Sequence, residues 1–399
     1  MQRNALDIPD EYIAALSERL SFDLTSKNLI TRSGKAYITK QAGIVSAISK
    51  GLTQTRSDFL ASEYLKNREI REAYALYYMT TNLLKVFQPM RELALSGFFD
   101  RSSLRILDLG CGTGSATWGT ELFLRSKNKD IDAYFTLTDS LDENLAEAKT
   151  FSNYFLRHLS GTGSHLEFEQ YDLRLSSEKP PVLTRQPYDL VIMMNVLNEL
   201  DEKDDTVLLN SLTSLLDTHG AIVIIEPATR EQSRRLLRLR DLAVRSGATM
   251  YSPCSRQEGC PALVDPDDWC HTDVPWVRPP FIEAIDNIAG TLRLSLKYSY
   301  IVISKDGVTL SKSIGMNHLY RVVSERFNEK GRIRAILCGE NGRCEHIINK
   351  RDRSEANADF ASIERYDVVK LDGAVLREHD AILSKDSDFS IVLPVLGAR

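Results

Sequence analysis

The sequence of 399 residues is poor in cysteine and has no long apolar run. Its six cysteines are too few for a disulfide framework, so a reducing setting is expected. No apolar run approaches the roughly 18 to 20 residues that a membrane-spanning helix needs. The opening stretch, "MQRNALDIPDEYIAAL", lacks the apolar centre of a signal peptide. We therefore expect a cytoplasmic protein without a membrane partner.

The sequence also lacks an excess of basic residues. Lysine and arginine number 50 against 55 acidic residues, which gives a formal net charge of −5. DNA is therefore not expected as a partner, and nothing in the total charge points to nucleic acid. The stretch "TREQSRRLLRLRDLAVRSG" is a local exception, because it carries six arginines in a helix-like pattern. A solvated helix face explains it, and so does a contact with RNA phosphates.

The length exceeds what one hydrophobic core usually fills, so several domains are expected. Residues 1–95 have apolar residues at helical spacing, and Pro89 is predicted to end the last of these helices. Residues 96–310 alternate apolar strands with helix-length segments, which indicates a parallel sheet covered on both faces. Residues 311–399 contain short alternating runs between Gly, Asn and Asp turns, the pattern of a β-rich domain. The predicted fold class is therefore α/β, with a doubly wound sheet.

A glycine-rich turn follows the first strand of the α/β region. In "LDLGCGTGSATW", Asp108, Gly110, Gly112 and Gly114 come at the carboxyl end of that strand, where open α/β sheets bind ligands. Glycines allow a ligand to approach the backbone closely, and the next helix offers free N–H groups. The loop has no Walker lysine. Its D-x-G-x-G-x-G pattern is similar to motif I of class I S-adenosylmethionine (SAM) methyltransferases.

That resemblance implies roles for three further residues. Asp139 would accept hydrogen bonds from the ribose hydroxyls, Asp172 would hold the adenine amino group, and Asn195 would lie beneath the methionine part. Turn or helix-cap roles are the alternatives for the two aspartates. The stretch after the fourth strand, "MMNVLNEL", has no proline, aromatic residue or cysteine of the kind that nucleic-acid methyltransferases use. No catalytic residue is therefore named.

Three of the six cysteines fall in one loop-like stretch at residues 250–275, predicted as an insertion in the α/β domain. Cys254, Cys260 and Cys270 have the spacing C-x(5)-C-x(9)-C, which is not that of a zinc ribbon. Three soft thiolates on one loop suggest a metal or cluster with a fourth ligand elsewhere. The best candidate for that ligand is Cys338, and the alternatives are Cys344 and His271. Three unligated thiols are the simpler interpretation.

Together these motifs resemble the methyltransferase-like assembly proteins of the small ribosomal subunit. The matching stretches include "LDLGCGTGSATW", "IIEPATR", "PCSRQEGCPALVDPDDWCH" and "AILC". The resemblance implies SAM binding, a 4Fe–4S cluster on Cys254, Cys260, Cys270 and Cys338, and the small ribosomal subunit or its rRNA as partner. The expected activity is that of an rRNA methyltransferase or an assembly factor.

Two alternative functions stay open at this point. One is a non-catalytic RNA- or ribosome-binding module with SAM as a structural ligand, which the stretch "MMNVLNEL" favours. The other is a small-molecule methyltransferase, which leaves the cysteines and the arginine-rich stretch without a role.

Overall fold

The computed structural model describes residues 6–55, 58–59, 63–127, 131–159, 163–174 and 187–397. Helices dominate the first part of the chain and alternate with strands in the middle part. They are α1 (Asp10–Leu20), α2 (Ser26–Leu29), α3 (Arg32–Gln54), α4 (Arg68–Tyr74), α5 (Thr80–Leu83), α6 (Phe87–Ala94), α7 (Ser115–Ser126), α8 (Asp142–His158), α9 (Asp205–Leu215), α10 (Arg230–Arg245), α11 (Pro280–Ala289) and α12 (Leu310–Ile314).

Residues 68–94 form an almost unbroken helical segment. A π-helical turn at Ala75–Met79 separates α4 from α5, and a 3-10 turn at Leu84–Val86 separates α5 from α6. The Asn67 side chain caps the start by accepting hydrogen bonds from two backbone N–H groups. Pro89 does not end this segment, in contrast to the prediction. It lies in the first turn of α6, where a missing N–H disrupts the helix least.

The middle of the chain builds a nine-stranded sheet. Its order is β1-β8-β9-β6-β5-β2-β3-β4, with β7 pairing with β9. Strands β2 to β6 are parallel, whereas β9 runs antiparallel to β6 and β8. This is the strand order of class I SAM methyltransferases, so the predicted fold class is confirmed. The strands are β1 (Leu6–Asp7), β2 (Ser103–Leu109), β3 (Asp132–Asp139), β4 (Ser164–Gln170), β5 (Tyr188–Met194), β6 (Leu216–Pro227), β7 (Thr249–Ser252), β8 (Thr272–Val277) and β9 (Ser295–Ser304).

The apolar composition of the central strands follows from burial on both sides. Every residue of β5 is buried. In β2, Ile106 enters the core on one face of the sheet and Leu107 enters the core on the other. Helices therefore cover both faces, as expected for a parallel sheet. This packing places the carboxyl ends of β2, β3, β5 and β6 along one edge, where the glycine loop lies.

The last part of the chain forms a second sheet of eight strands around its own core, as predicted for a β-rich C-terminal part. Its order is β15-β16-β13-β12-β10-β14-β17, and β11 pairs with β12. The strands are β10 (Leu319–Val322), β11 (Phe327–Glu329), β12 (Arg332–Gly339), β13 (Gly342–Asn349), β14 (Val368–Asp372), β15 (Val375–Leu376), β16 (Asp380–Leu383) and β17 (Asp388–Leu393).

The cysteine-containing stretch was predicted as an insertion, but its two ends are strands of the main sheet. Strands β7 and β8 flank it, and both pair with β9, so its two ends belong to the main sheet. The sequence pattern misses them because β7 has only four residues and β8 contains Pro275, which usually argues against a strand interior.

Candidate cofactor pocket and cysteine site

The glycine loop after β2 has a backbone that requires glycine. Gly110, Gly112 and Gly114 all have φ between +54° and +90°. A Cβ at Gly110 would come within 2.5 Å of Val196, and one at Gly114 within 2.4 Å of Trp118. A Cβ at Gly112 would meet no protein atom within 4 Å. The space beside Gly112 is therefore open to a ligand.

Asp108, just before the loop, is buried, and one of its two carboxylate oxygens has hydrogen-bond partners. Its Oδ2 accepts hydrogen bonds from the backbone N–H and the hydroxyl of Thr117, at 3.1 and 2.7 Å. Its Oδ1 has no partner among the described residues. Burial raises the pKa of Asp108 to about 6.

Asp139, at the end of β3, joins two loops of the pocket. One carboxylate oxygen accepts a hydrogen bond from the Gly112 N–H at 2.9 Å, and the other accepts from Leu141 and Asn144. Burial raises the pKa of Asp139 despite these donors. Asp172 also lines the pocket and forms a bidentate ion pair with Arg174. This pairing lowers the pKa of Asp172.

Asn195 follows β5 with a left-handed backbone, φ +62°, which is uncommon for a residue other than glycine. Glu226, a fully buried residue at the end of β6, holds this loop in place. It accepts hydrogen bonds from the Leu197 N–H at 2.8 Å and from the Asn198 amide at 2.7 Å. Sequence reasoning assigned Glu226 no role, although it lies in the quoted stretch "IIEPATR".

These residues line one pocket at the carboxyl edge of the sheet. Tyr64 and Tyr74 also line it, and so do the carboxylates of Glu63 and Glu199. Among its described lining residues Arg174 is the one cation. Four buried acceptor or hydroxyl oxygens of the lining have no partner among the described residues: Asp108 Oδ1, Thr113 Oγ1, Asn144 Oδ1 and Asn195 Oδ1. Each such atom costs about 1–3 kcal/mol when unsatisfied, so the arrangement suits a polar ligand.

The predicted cysteine set comes together between the two sheets. Burial raises the pKa of the Cys260 thiol, and the charges of Cys254, Cys270 and Cys338 raise it further. Burial, followed by the charges of Cys254 and Cys270, raises the pKa of Cys338 to about 12. Strand register links β12 to the loop as well, because Cys338 pairs with Arg321, whose Nε donates a hydrogen bond to the Pro253 carbonyl beside Cys254 at 3.0 Å.

Strand register distinguishes Cys338 from Cys344. Cys344 pairs directly with Leu337, and paired residues share a face, so Cys344 points to the core of the C-terminal sheet. Cys338 is on the opposite face of β12, next to Arg343, which donates a hydrogen bond to Asp268 of the cysteine loop at 2.7 Å. The face that carries Cys338 is therefore the one that meets the loop.

The other sulfur and imidazole candidates have different surroundings. Burial and the charge of Arg365 lower the pKa of His271 to about 4, and Arg365 donates a hydrogen bond to its backbone carbonyl. Cys111 is buried in the glycine loop, where burial raises its pKa.

The side chains as positioned do not form a closed metal site. Within the described ranges, no three His, Cys, Asp or Glu side chains are arranged so that they could hold a metal ion. Thiol donors are present in the right number, and arginines surround them. Arg240 lowers the pKa of Cys254 against the effect of burial, and Arg256 and Arg343 act in the same way on Cys338. In donor type and charge, the surroundings fit a negatively charged thiolate-bound group.

Five of the six arginines of α10 have contacts within the protein, and the sixth, Arg245, is exposed. Arg234 donates hydrogen bonds to four backbone carbonyls between residues 262 and 268. Arg235 binds Asp205, Arg238 binds Glu202, and Arg240 donates to backbone carbonyls of Arg256 and Glu258. These contacts explain the arginine-rich stretch without RNA. Its main structural task is to hold the cysteine loop.

Comparison with known proteins gives one family match. The model of the family described as "Mitochondrial small ribosomal subunit Rsm22" matches residues 68–364. No curated protein matches the sequence. None of the described helices has the length and apolar character needed to cross a membrane.

Similar solved structures are methyltransferases of low identity. One is a methyltransferase from Pyrococcus furiosus, with TM-score 0.31, 11% identity, and coverage of 54% of this chain and 82% of that one. Another is magnesium protoporphyrin IX methyltransferase from Synechocystis with SAM bound, with TM-score 0.34, 12% identity, and coverage of 66% and 97%. At such TM-scores the fold assignment rests on the strand order of the sheet and not on these likenesses.

Proposed function

This chain belongs to the Rsm22 family, and from that premise we propose that it binds SAM at the glycine loop and acts on the small ribosomal subunit. The action is that of an rRNA methyltransferase or an assembly factor. The main support for the ligand is the group of four unpartnered buried oxygens around a glycine loop with left-handed backbone. Their cost is offset when a polar ligand bonds to them.

The charge of the pocket lining supports SAM as the ligand. Its sulfonium and ammonium groups are cationic, and the pocket lining carries five carboxyl groups against one guanidinium. Gly112 lets the ligand approach the backbone. Asp139 would accept from the ribose hydroxyls, Asp172 would meet the adenine amino group, and Asn195 would lie beneath the methionine part.

Bound SAM would supply an electrophilic methyl group. The protein's contribution to transfer would be positioning, because attack on a sulfonium needs mainly alignment of the acceptor with the methyl group. The loop held by Glu226, from Asn195 to Asn198, is the part of the pocket wall that would orient an acceptor. No residue is assigned as an acid or a base.

We also propose the four cysteines Cys254, Cys260, Cys270 and Cys338 as ligands of a 4Fe–4S cluster. The support is the electrostatic effect of the thiols on one another, their partial burial and the arginines beside them. Closing this set around a cluster requires the side chains to move, since no closed set exists among the described residues. The cluster would join the cysteine loop to β12 and would be a structural element.

The ribosomal partner rests on the family description. That description names a mitochondrial protein, so the cytoplasmic location stays a prediction. The RNA contact is not assigned to α10, because Arg234, Arg235 and Arg240 are engaged within the protein.

Calorimetry with SAM tests the ligand. Gly112→Ala should weaken binding at least tenfold, because its Cβ would occupy open pocket space and touch no protein atom. Gly315→Ala is the matched control, since Gly315 also has a left-handed φ and free space around its Cβ. Wild-type protein that fails to bind SAM would overturn the assignment.

Crosslinking followed by sequencing of bound RNA, with methyl mapping of rRNA in a deletion strain, tests the ribosomal role.

The second candidate is a binding module that keeps SAM as a structural ligand. The loop after β5 favours it, because its stretch "NVLN" has no aromatic residue to stack on a base. Unchanged rRNA methylation in a deletion strain that still accumulates immature small subunits would select this candidate.

A further inference from the structure

Arg321 of β10 is a buried arginine with an unpaired end. Only 3% of its surface is exposed, and its guanidinium has five N–H groups to satisfy. Nε donates to the Pro253 carbonyl at 3.0 Å, and Nη1 donates to Glu92 at 2.8 Å and to the Tyr366 carbonyl at 2.9 Å. Nη2 is buried and has no hydrogen-bond partner among the described residues. Glu92 balances the charge of Arg321, but the N–H groups of Nη2 still lack an acceptor.

The contacts of Arg321 place it beside two of the proposed cluster ligands. In the C-terminal sheet it pairs with Cys338, and paired residues share a face, here the face that meets the cysteine loop. Within that loop its acceptor is the carbonyl of Pro253, the residue before Cys254. The guanidinium therefore bridges the sheet that carries Cys338 and the loop that carries Cys254.

Tyr366 adds a hydroxyl beside a third proposed ligand. It is buried, with 1% of its surface exposed, and its Oη is 3.4 Å from the Sγ of Cys270. Its ring also lies beside Arg321, with the guanidinium carbon 5.3 Å from the ring centroid. A thiolate can only accept a hydrogen bond. When Cys270 is a metal ligand, the Tyr366 hydroxyl is therefore the donor in this contact.

A buried donor without an acceptor destabilises a protein unless a bound group accepts from it. The sulfur atoms of a thiolate-bound iron–sulfur cluster are acceptors of this kind. We propose that Arg321 Nη2 and Tyr366 Oη donate hydrogen bonds to the sulfur atoms of the cluster held by the cysteines. This inference rests on the cluster proposed above and assigns to it two donors that are not ligands.

The reduction potential of the cluster is the property that these donors would change. Reduction by one electron adds negative charge to the cluster, and hydrogen bonds to its sulfur atoms stabilise the more negative state. Arg321 and Tyr366 therefore make the potential less negative than it would be without them. For a cluster with a structural role, the potential serves as the readout of these hydrogen bonds.

Anaerobic reconstitution with iron and sulfide, followed by redox titration with dithionite as the electron donor, tests this assignment. Arg321→Lys keeps a cation for Glu92 but removes Nη2, and Tyr366→Phe removes only the hydroxyl. Each variant should bind as much iron as wild type and should have a more negative midpoint potential, followed by visible absorbance and electron paramagnetic resonance. The matched control is Tyr300→Phe, which removes a different hydrogen bond to Glu92, of 2.9 Å, and should keep the wild-type potential.

The outcomes separate this inference from the cluster proposal. If wild type holds iron and both variants keep its potential, the two donors are wrong while the cluster stands. If the control shifts the potential as far as the two variants do, the shift comes from the contacts of Glu92 and the inference is overturned. If Arg321→Lys does not fold, Tyr366→Phe decides alone. If wild type takes up no iron, the cluster proposal fails and this inference fails with it.

Discussion

Among single residues, the two cysteines of the C-terminal sheet show how strand register decides a ligand. Cys338 and Cys344 are only six positions apart, and their sequence surroundings do not rank them decisively. On β12, Cys338 faces the cysteine loop, whereas Cys344 faces the core of the C-terminal sheet beside His346, with Sγ and Nδ1 3.8 Å apart. The register therefore favours Cys338 over Cys344 as the fourth ligand of the proposed cluster.

We predict that Cys338→Ser lowers iron content and thermal stability, because it removes the link between the loop and β12. Iron and acid-labile sulfide, measured after anaerobic purification, give the readout. Cys344→Ser should keep both. Loss of iron from Cys344→Ser alone would show that the wrong cysteine was chosen, and stoichiometric zinc without iron would change the type of metal.

Asp108 gives a prediction about pH. Its folded-state pKa of about 6 lies above the usual 3.8, so its contribution to stability is complete below pH 4 and is lost as pH rises through 6. Asp108→Asn should therefore raise the free energy of unfolding by about 1–3 kcal/mol at pH 7.5, and by less at pH 5. Thermal unfolding at the two pH values measures this. SAM affinity of the variant should fall, since a charge that attracts the cationic ligand is gone; equal affinity would remove Asp108 from the site.

Among the elements, α10 is the one whose role changes most between sequence and structure. Its arginines suggested an RNA-binding face, but the side chains of Arg234 and Arg240 bind backbone carbonyls of the cysteine loop. Within the loop, backbone N–H groups pair with the carbonyls of Cys260, Pro261 and Asp265, and the two arginines supply donors for further carbonyls.

We predict that Arg240→Met destabilises the protein by about 3 kcal/mol or more, because it removes a fully buried guanidinium and leaves loop carbonyls unpaired. Urea unfolding provides the measurement, and iron content should fall in parallel. Arg238→Met on the same helix is the control. Arg238 is half exposed and binds only Glu202 among the described residues, so its loss should cost less than about 1 kcal/mol. A flattened salt dependence of RNA binding in Arg238→Met would restore a role in RNA contact.

At the scale of the whole molecule, one buried ion pair joins the three parts of the chain. Arg321 of β10 donates hydrogen bonds to Glu92 of α6 at 2.8 Å and to the Pro253 carbonyl of the cysteine loop at 3.0 Å. Glu92 also accepts from Tyr300 of β9 at 2.9 Å. The helical region, the main sheet and the C-terminal sheet therefore meet at one carboxylate.

We predict that Arg321→Met loosens the C-terminal sheet before the SAM pocket. Removing one partner of a buried pair costs about 3–5 kcal/mol, because the other charge stays uncompensated. Hydrogen exchange should accelerate in β10 to β17 and in the cysteine loop, while affinity for SAM changes less than threefold. Arg377→Met, at an exposed arginine of the same sheet, should leave exchange unchanged. Uniform acceleration across both sheets would show that the molecule unfolds as one unit.

Much of the architecture could be predicted because local patterns carry it. Strands buried on both faces, such as β5 with its run from Leu190 to Met194, are mostly apolar, and the left-handed turns around Gly110 and Gly112 require glycine. The two strands next to the cysteine loop could not be predicted, because β7 is short and β8 contains proline. Their pairing depends on β9, which lies far along the chain.

The sequence by itself determined the sheet, the glycine loop and the concentration of cysteines in one stretch. Tertiary structure alone decided two further points: that Cys338 and not Cys344 faces the loop, and that Arg234 and Arg240 of α10 bind that loop. The physical reason is the same for each. A side chain's partner is set by register and packing between segments many residues apart, and these long-range contacts leave no periodic trace in the sequence around any one of them.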